Sequence, residues 1–163
     1  RLAKHLPQLH TLAICPAISP RHTVGQIGSS SIYQRYFMGK WRVLWEQKQA
    51  AFPQHYDFSR MNGLTSIHAL TEIFIEEHTD FASLDEYYAA YDLRGDALQG
   101  VSATILAASD DPIIPAEHYQ GLPDSIHVAL TARGGHTAYI KNWRLESWVD
   151  DYALGIFTRR LNS

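Results

Sequence analysis

A single cysteine, Cys15, stands among 163 residues. It has no second cysteine to pair with in the chain, and such sparse use fits a reducing, cytoplasmic compartment. Long apolar runs are missing as well: none approaches the ~20 residues a membrane helix needs, so no integral membrane segment is expected. Charge is not massed in one sign. Net charge is −3 and the sequence pI is near 6.3, with no basic stripe, which argues against nucleic acid as a partner. Internal repeats and low-complexity tracts are absent, which removes solenoids and repeat arrays. Nine histidines invite a metal reading, yet no H-E-x-x-H motif or close ligand cluster accompanies them. No resident metal or other cofactor is expected.

What is present suffices for one packed domain: hydrophobic residues make up 45% of the chain. The opening "RLAKHLPQL", from Arg1, reads as the tail of a helix closed by Pro7, so an N-terminal portion of the natural protein is expected to precede it. The run "HTLAICPAISP" follows, and Thr11 to Cys15 suits a buried strand of a parallel sheet. The character then changes. "SSIYQRYFMGKWRVLWEQKQAAF" sets Tyr33, Phe37, Trp41, Leu44 and Trp45 at helical spacing behind a cap at Ser29 to Ser31. "LTSIHALTEIFIEEH" repeats the pattern with Leu64, Ile67, Leu70, Phe74 and Ile75. "SLDEYYAAYDL" adds a short helix with Ser83 as N-cap and Glu86 at the capping-box position. Strand signals return at Ser102 to Ser109 and at Ser125 to Ala132, with a short helix begun at Pro115 between them. The final stretch, "WRLESWVDDYALGIFTRRL", is amphipathic, with Leu145, Trp148, Val149, Tyr152 and Ile156 on one face. This order predicts an α/β fold of parallel strands joined by helical crossovers, in three segments: 1–20, 21–95 and 96–163.

In a parallel α/β sheet, functional groups sit on loops just past the carboxyl ends of strands. Asp110 and Asp111 follow one expected strand, and His136, in "TARGGHTAYI", follows the next. Each has a plain reading: an Asp before Pro is a common turn former, and a histidine after two glycines is a common loop residue. Acid then imidazole, on consecutive strand ends, is also the order of the last two members of a Ser-Asp-His triad. Gly134 and Gly135 would then let the loop turn tightly enough for His136 to face both the acid and the nucleophile.

The segments "AASDDPIIP", "RGGHTAYI" and "WRLESWVDDYALGIF" resemble the C-terminal third of α/β-hydrolases, in particular the YheT-type predicted esterases. "DFASLDEYYAAYDL" resembles the tyrosine-rich segment that precedes the acid strand in that group. The resemblance covers most of residues 64–157 and, more loosely, 1–20. It implies the C-terminal part of an α/β-hydrolase fold, with residues 21–95 as a helical cap. It also implies Asp111 as the triad acid, with Ile114 and Pro115 completing its motif, Asp110 as its neighbour, and His136 as the base. The implied activity is hydrolysis of carboxylic esters, with a small-molecule ester or lipid-like substrate. After the histidine the chain departs from the group, reading Thr137-Ala138-Tyr139 where a small residue and phenylalanine are usual.

No G-x-S-x-G elbow occurs in the chain. Ser30 and Ser102 are half matches, one in a helix cap and one at a strand start, and neither has the strand-turn-helix context. If "RLAKHLPQL" ends the helix that follows the elbow, the serine is expected shortly before Arg1, and the oxyanion-hole amides, from the residue after it and from an earlier loop, are expected outside the chain too. Tyr33, Tyr36, Trp41 and Trp45 are expected either to pack within their own segment or to line an acyl pocket, and Tyr87, Tyr88 and Tyr91 are open in the same way. Two competing readings are metal-assisted hydrolysis and a non-catalytic α/β-hydrolase-like binding domain.

Overall fold

The stretch ATILAA has no charged residue and can be covered on both faces. It forms β2 (Ala103–Ala108), buried along its whole length. In the computed structural model, which describes residues 9–162, β2 lies between β1 (Thr11–Ile14) and β3 (Ile126–Thr131) in a three-stranded sheet. Both pairings are parallel, with Ile14 in register with Leu106 and Leu106 with Ala129. Parallel neighbours need long connections. That between β1 and β2 contains four α-helices and two 3-10 turns, and that between β2 and β3 only a 3-10 turn, Ala116–Tyr119. The described chain is thus mixed α/β, with five α-helices. Because the strands run the same way, Cys15, the Asp110-Asp111 loop and the His136 loop all leave the sheet at one edge.

The chain divides into two compact units, one running from Ser19 to Asp92 and the other holding the sheet. In the sheet unit, Cys15, Leu106, Ala108 and Tyr139 form a buried cluster covered by Leu12, Ile14 and Ala129 and by Trp148, Val149 and Tyr152. The last three lie on α5 (Trp148–Leu161). Ser147 caps this helix by accepting from the Asp150 amide, with acidic residues in its first turn and Arg159 and Arg160 in its last, as the helix dipole favours. In the helical unit, α1 (Pro20–Ser29), α2 (Ser31–Ala51), α3 (Ile67–His78) and α4 (Leu84–Tyr91) follow one another. Ser30 caps α2, and Ser83 caps α4. Trp41 packs on Trp45 and Phe74, with ring centroids 5.9 and 6.4 Å away, while buried Trp45 stacks on Phe58 at 6.1 Å. Tyr36 is exposed, and Tyr87 sits against Tyr91 at 4.9 Å.

Several local expectations are corrected. Leu145 is not on the final helix. It is exposed at φ +60°, in a loop closed by a bridge between Ile140 and Ser147 and by Asn142 accepting from the Arg144 amide. The helix expected from Pro115 is a single 3-10 turn. The first strand stops at Ile14, since Cys15 turns to φ +43°. A separate helix, α1, precedes the cap at Ser30; its glycines, Gly25 and Gly28, weaken the helical signal there. Glu86 reaches back to the amide of Ala82, one residue before the Ser83 amide that a capping box would use. The helix tail at Arg1 to Pro7 lies outside the described residues. Among the described residues no helix is long and apolar enough to cross a membrane.

Candidate active site

Past β2 the chain turns through Ser109, whose amide donates to the Thr131 carbonyl at 2.8 Å and ties the ends of β2 and β3 together. Pro112 has no amide hydrogen, so the next two donors belong to Ile113 and Ile114. Both donate to Asp111 Oδ1, at 2.8 and 2.9 Å. This leaves Oδ2 for the third partner, His136 Nδ1, at 3.0 Å. The Asp111 side chain is 2% exposed and that of His136 34%. Burial, the largest influence on Asp111, would raise its carboxyl. The Ile114 amide, His136 and the Ile113 amide together outweigh burial and hold the carboxyl below its ordinary value. The neighbouring Asp110 holds the loops together instead. Its Oδ1 accepts the Gly135 amide at 2.8 Å, fastening the histidine loop to the acid loop.

The two glycines before His136 answer different needs. Gly135 has φ +53°, where a side chain is strained. Gly134 has no such angle, but a Cβ there would lie 2.4 Å from Tyr139 Cε1, so the ring fills the space a side chain would need. Tyr139 and Ala138 both donate their amides to the Gly134 carbonyl. Tyr139 itself is buried at φ +40°, stacked on Trp148 with centroids 6.1 Å apart. The Trp148 amide donates to the Tyr139 carbonyl at 2.8 Å. The loop backbone is thus held by the core cluster on one side and by Asp110 on the other.

Sequence reasoning missed Cys15 as a member of this site. Its Sγ is 3.4 Å from Tyr139 Oη and donates to the Gly135 carbonyl at 3.8 Å. One donor atom each from Cys15, Asp111 and His136 all lie within 4.8 Å of one another, which makes these three the candidate ligand set for a metal ion. Burial pushes the thiol pKa up, and burial with the Cys15 contact does the same to the Tyr139 phenol, so both are neutral groups. A signal existed in the sequence: Cys15 ends the first expected strand, just as the acid and the imidazole follow the other two.

A carboxylate only accepts hydrogen bonds, so Nδ1 of neutral His136 carries the ring proton and Nε2 keeps its lone pair. That is the tautomer of a general base. The two serines with partial elbow matches have other partners. Ser30 caps α2. Ser102 binds His10 Nδ1 at 2.9 Å, at the opposite end of β2 and on the order of 20 Å along the strand from Asp111. Among the described residues no hydrogen bond joins His136 to a serine or threonine hydroxyl. No family model, curated protein or solved structure matches this chain.

Proposed function

We propose that this chain carries the acid and base of a serine hydrolase of the α/β-hydrolase type that cleaves carboxylic esters, working in a reducing cytoplasmic compartment. The observation that carries the reading is the 3.0 Å contact between Asp111 Oδ2 and His136 Nδ1 on neighbouring parallel strand ends. In this mechanism Nε2 of His136 removes the hydroxyl proton of a serine as its oxygen bonds to the ester carbonyl carbon. The carbonyl electron pair moves onto oxygen, and Asp111 stabilises the imidazolium. The same proton then passes to the departing alkoxide, and a second cycle with water releases the acid and the serine. The serine and the oxyanion-hole amides are supplied from outside residues 1–163, and the helical segment 21–95 is the cap insertion. The resemblance of "AASDDPIIP" and "RGGHTAYI" to α/β-hydrolases supports this assignment.

Cys15 is not the nucleophile in this reading. It is 4% exposed, and burial favours its thiol over the reactive thiolate. The second reading, a non-catalytic binding domain, is favoured by the observation that, among the described residues, His136 has a carboxylate partner but no hydrogen bond to a serine hydroxyl. A fluorophosphonate probe separates the two. Applied to residues 1–163 and to the protein at its natural length, it is expected to label only the latter, on a serine outside this chain. His136→Ala is expected to remove that labelling without altering the circular dichroism spectrum. Labelling at Ser30 or Ser102, or none in either sample, would overturn the hydrolase assignment.

A further inference from the structure

The three donors at the sheet edge suit a ligand that hydrolysis does not require. A thiol sulfur, a carboxylate oxygen and an imidazole nitrogen converge within 4.8 Å. Zinc prefers this mixture, while magnesium and calcium take oxygen donors. Zinc bond lengths of about 2.0–2.3 Å separate the ligand atoms of a tetrahedral site by about 3.3–3.7 Å, so a separation at the 4.8 Å limit must close by roughly 1 Å while the 3.0 Å His136–Asp111 pair opens by a few tenths of an ångström. Cys15 is held by the buried core, and Asp111 Oδ1 is fixed by two amides while its Oδ2 meets His136 Nδ1. His136, the most exposed of the three side chains, is the member placed to move and the side from which an ion enters.

We infer that Cys15, Asp111 and His136 form a binding site for one thiophilic divalent cation of the zinc class. The ion takes the position of the proton between His136 Nδ1 and Asp111 Oδ2. The ring proton shifts to Nε2, the thiol proton leaves to solvent, and a water completes the fourth position. Bound ion and general base therefore exclude one another, because Nε2 no longer carries a lone pair. The site rests on the geometry of these side chains and stands apart from the hydrolase reading.

Cobalt(II) reports on it directly. Cys15 is the only cysteine in the chain, so a near-ultraviolet thiolate-to-cobalt charge-transfer band can arise from no other residue. Titrating the reduced protein with cobalt chloride is expected to raise that band, with tetrahedral visible bands, to saturation at one ion per chain. An equal amount of zinc should extinguish it, and a large excess of magnesium should leave it unchanged. Cys15→Ser is expected to abolish the band and weaken cobalt binding by at least about 100-fold, beyond the loss typical of supporting residues. His55→Ala, in the helical unit, should leave the band intact. No charge-transfer band in folded wild-type protein, or a band that zinc fails to displace, would overturn the assignment without reference to any variant. So would undiminished cobalt affinity in folded Cys15→Ser. The readout needs no substrate, so it fails or succeeds separately from ester hydrolysis.

Discussion

Replacing Gly134 by alanine tests how the histidine loop is held. The new Cβ would lie 2.4 Å from Tyr139 Cε1, 2.8 Å from Cδ1 and 2.9 Å from Cζ. Carbon atoms pack at about 3.5–4.0 Å, so the ring must retreat by about 1 Å. It has little freedom to do so: the ring is buried, stacks on Trp148, and brings its hydroxyl to within 3.4 Å of Cys15 Sγ. Overpacking of this kind costs about 1–3 kcal/mol, and three crowded ring atoms place the expectation in the upper half of that range. Urea denaturation should show a lower midpoint with an unchanged slope. Gly135→Ala is the matched control. Nothing lies within 4 Å of its added Cβ, so its loss, about 1–2 kcal/mol, comes from the backbone at φ +53° alone. A double-mutant cycle with Tyr139→Ala separates the two causes. In that background Gly134→Ala should become nearly neutral, while Gly135→Ala keeps its full effect. If Gly134→Ala is equally destabilising with and without the ring, the clash is not the reason for this glycine.

Asp111→Asn would present an amide nitrogen to His136 Nδ1 while its oxygen still accepts the Ile113 and Ile114 amides. Nε2 would then carry the proton, and the proposed ester turnover should fall about 10⁴-fold with the fold intact. Asp110→Asn, which keeps an acceptor for the Gly135 amide, should lose far less. The same pair sets an acid limit on stability. A carboxyl held below its unfolded value near 3.8 contributes stability above that pH and loses it as pH falls through the folded pKa. With a chelator present, the stability advantage of wild type over Asp111→Asn should shrink as pH falls below about 5, and a difference that grows with acid would refute the Asp111 assignment. Finally, buried Cys15 should react with iodoacetamide far more slowly in the native protein than in urea, and equal rates would contradict its place in the core.

Much of this arrangement is local and legible along the chain. The run from Ala103 to Ala108 is uncharged and buried along its whole length, which makes a parallel sheet its natural outcome, while Leu12 and Ile14 on the neighbouring strand are half-buried. Ser30 and Ser83 announce helix starts because a hydroxyl satisfies an amide three residues on. Asp111 and His136 are legible as a pair because two parallel strands must deliver the loops that follow them to one edge. What the sequence leaves open depends on contacts between distant residues. The division of labour between Asp110 and Asp111 is decided by which group of a loop 25 residues away each carboxylate meets, the Gly135 amide or the His136 ring. Leu145 fits the amphipathic face of α5 by spacing, but the Ile140–Ser147 bridge takes it out of the helix. Gly134 looks like a flexible residue in the chain and is in fact a position vacated for the Tyr139 ring. Cys15 lies 120 residues before Gly135, whose carbonyl its thiol reaches. Hydrophobic periodicity and capping act over a few residues, so they determined the elements. Strand register and ring packing bring together groups far apart in the chain, so only the tertiary structure decided that a thiol, a carboxylate and an imidazole share one site.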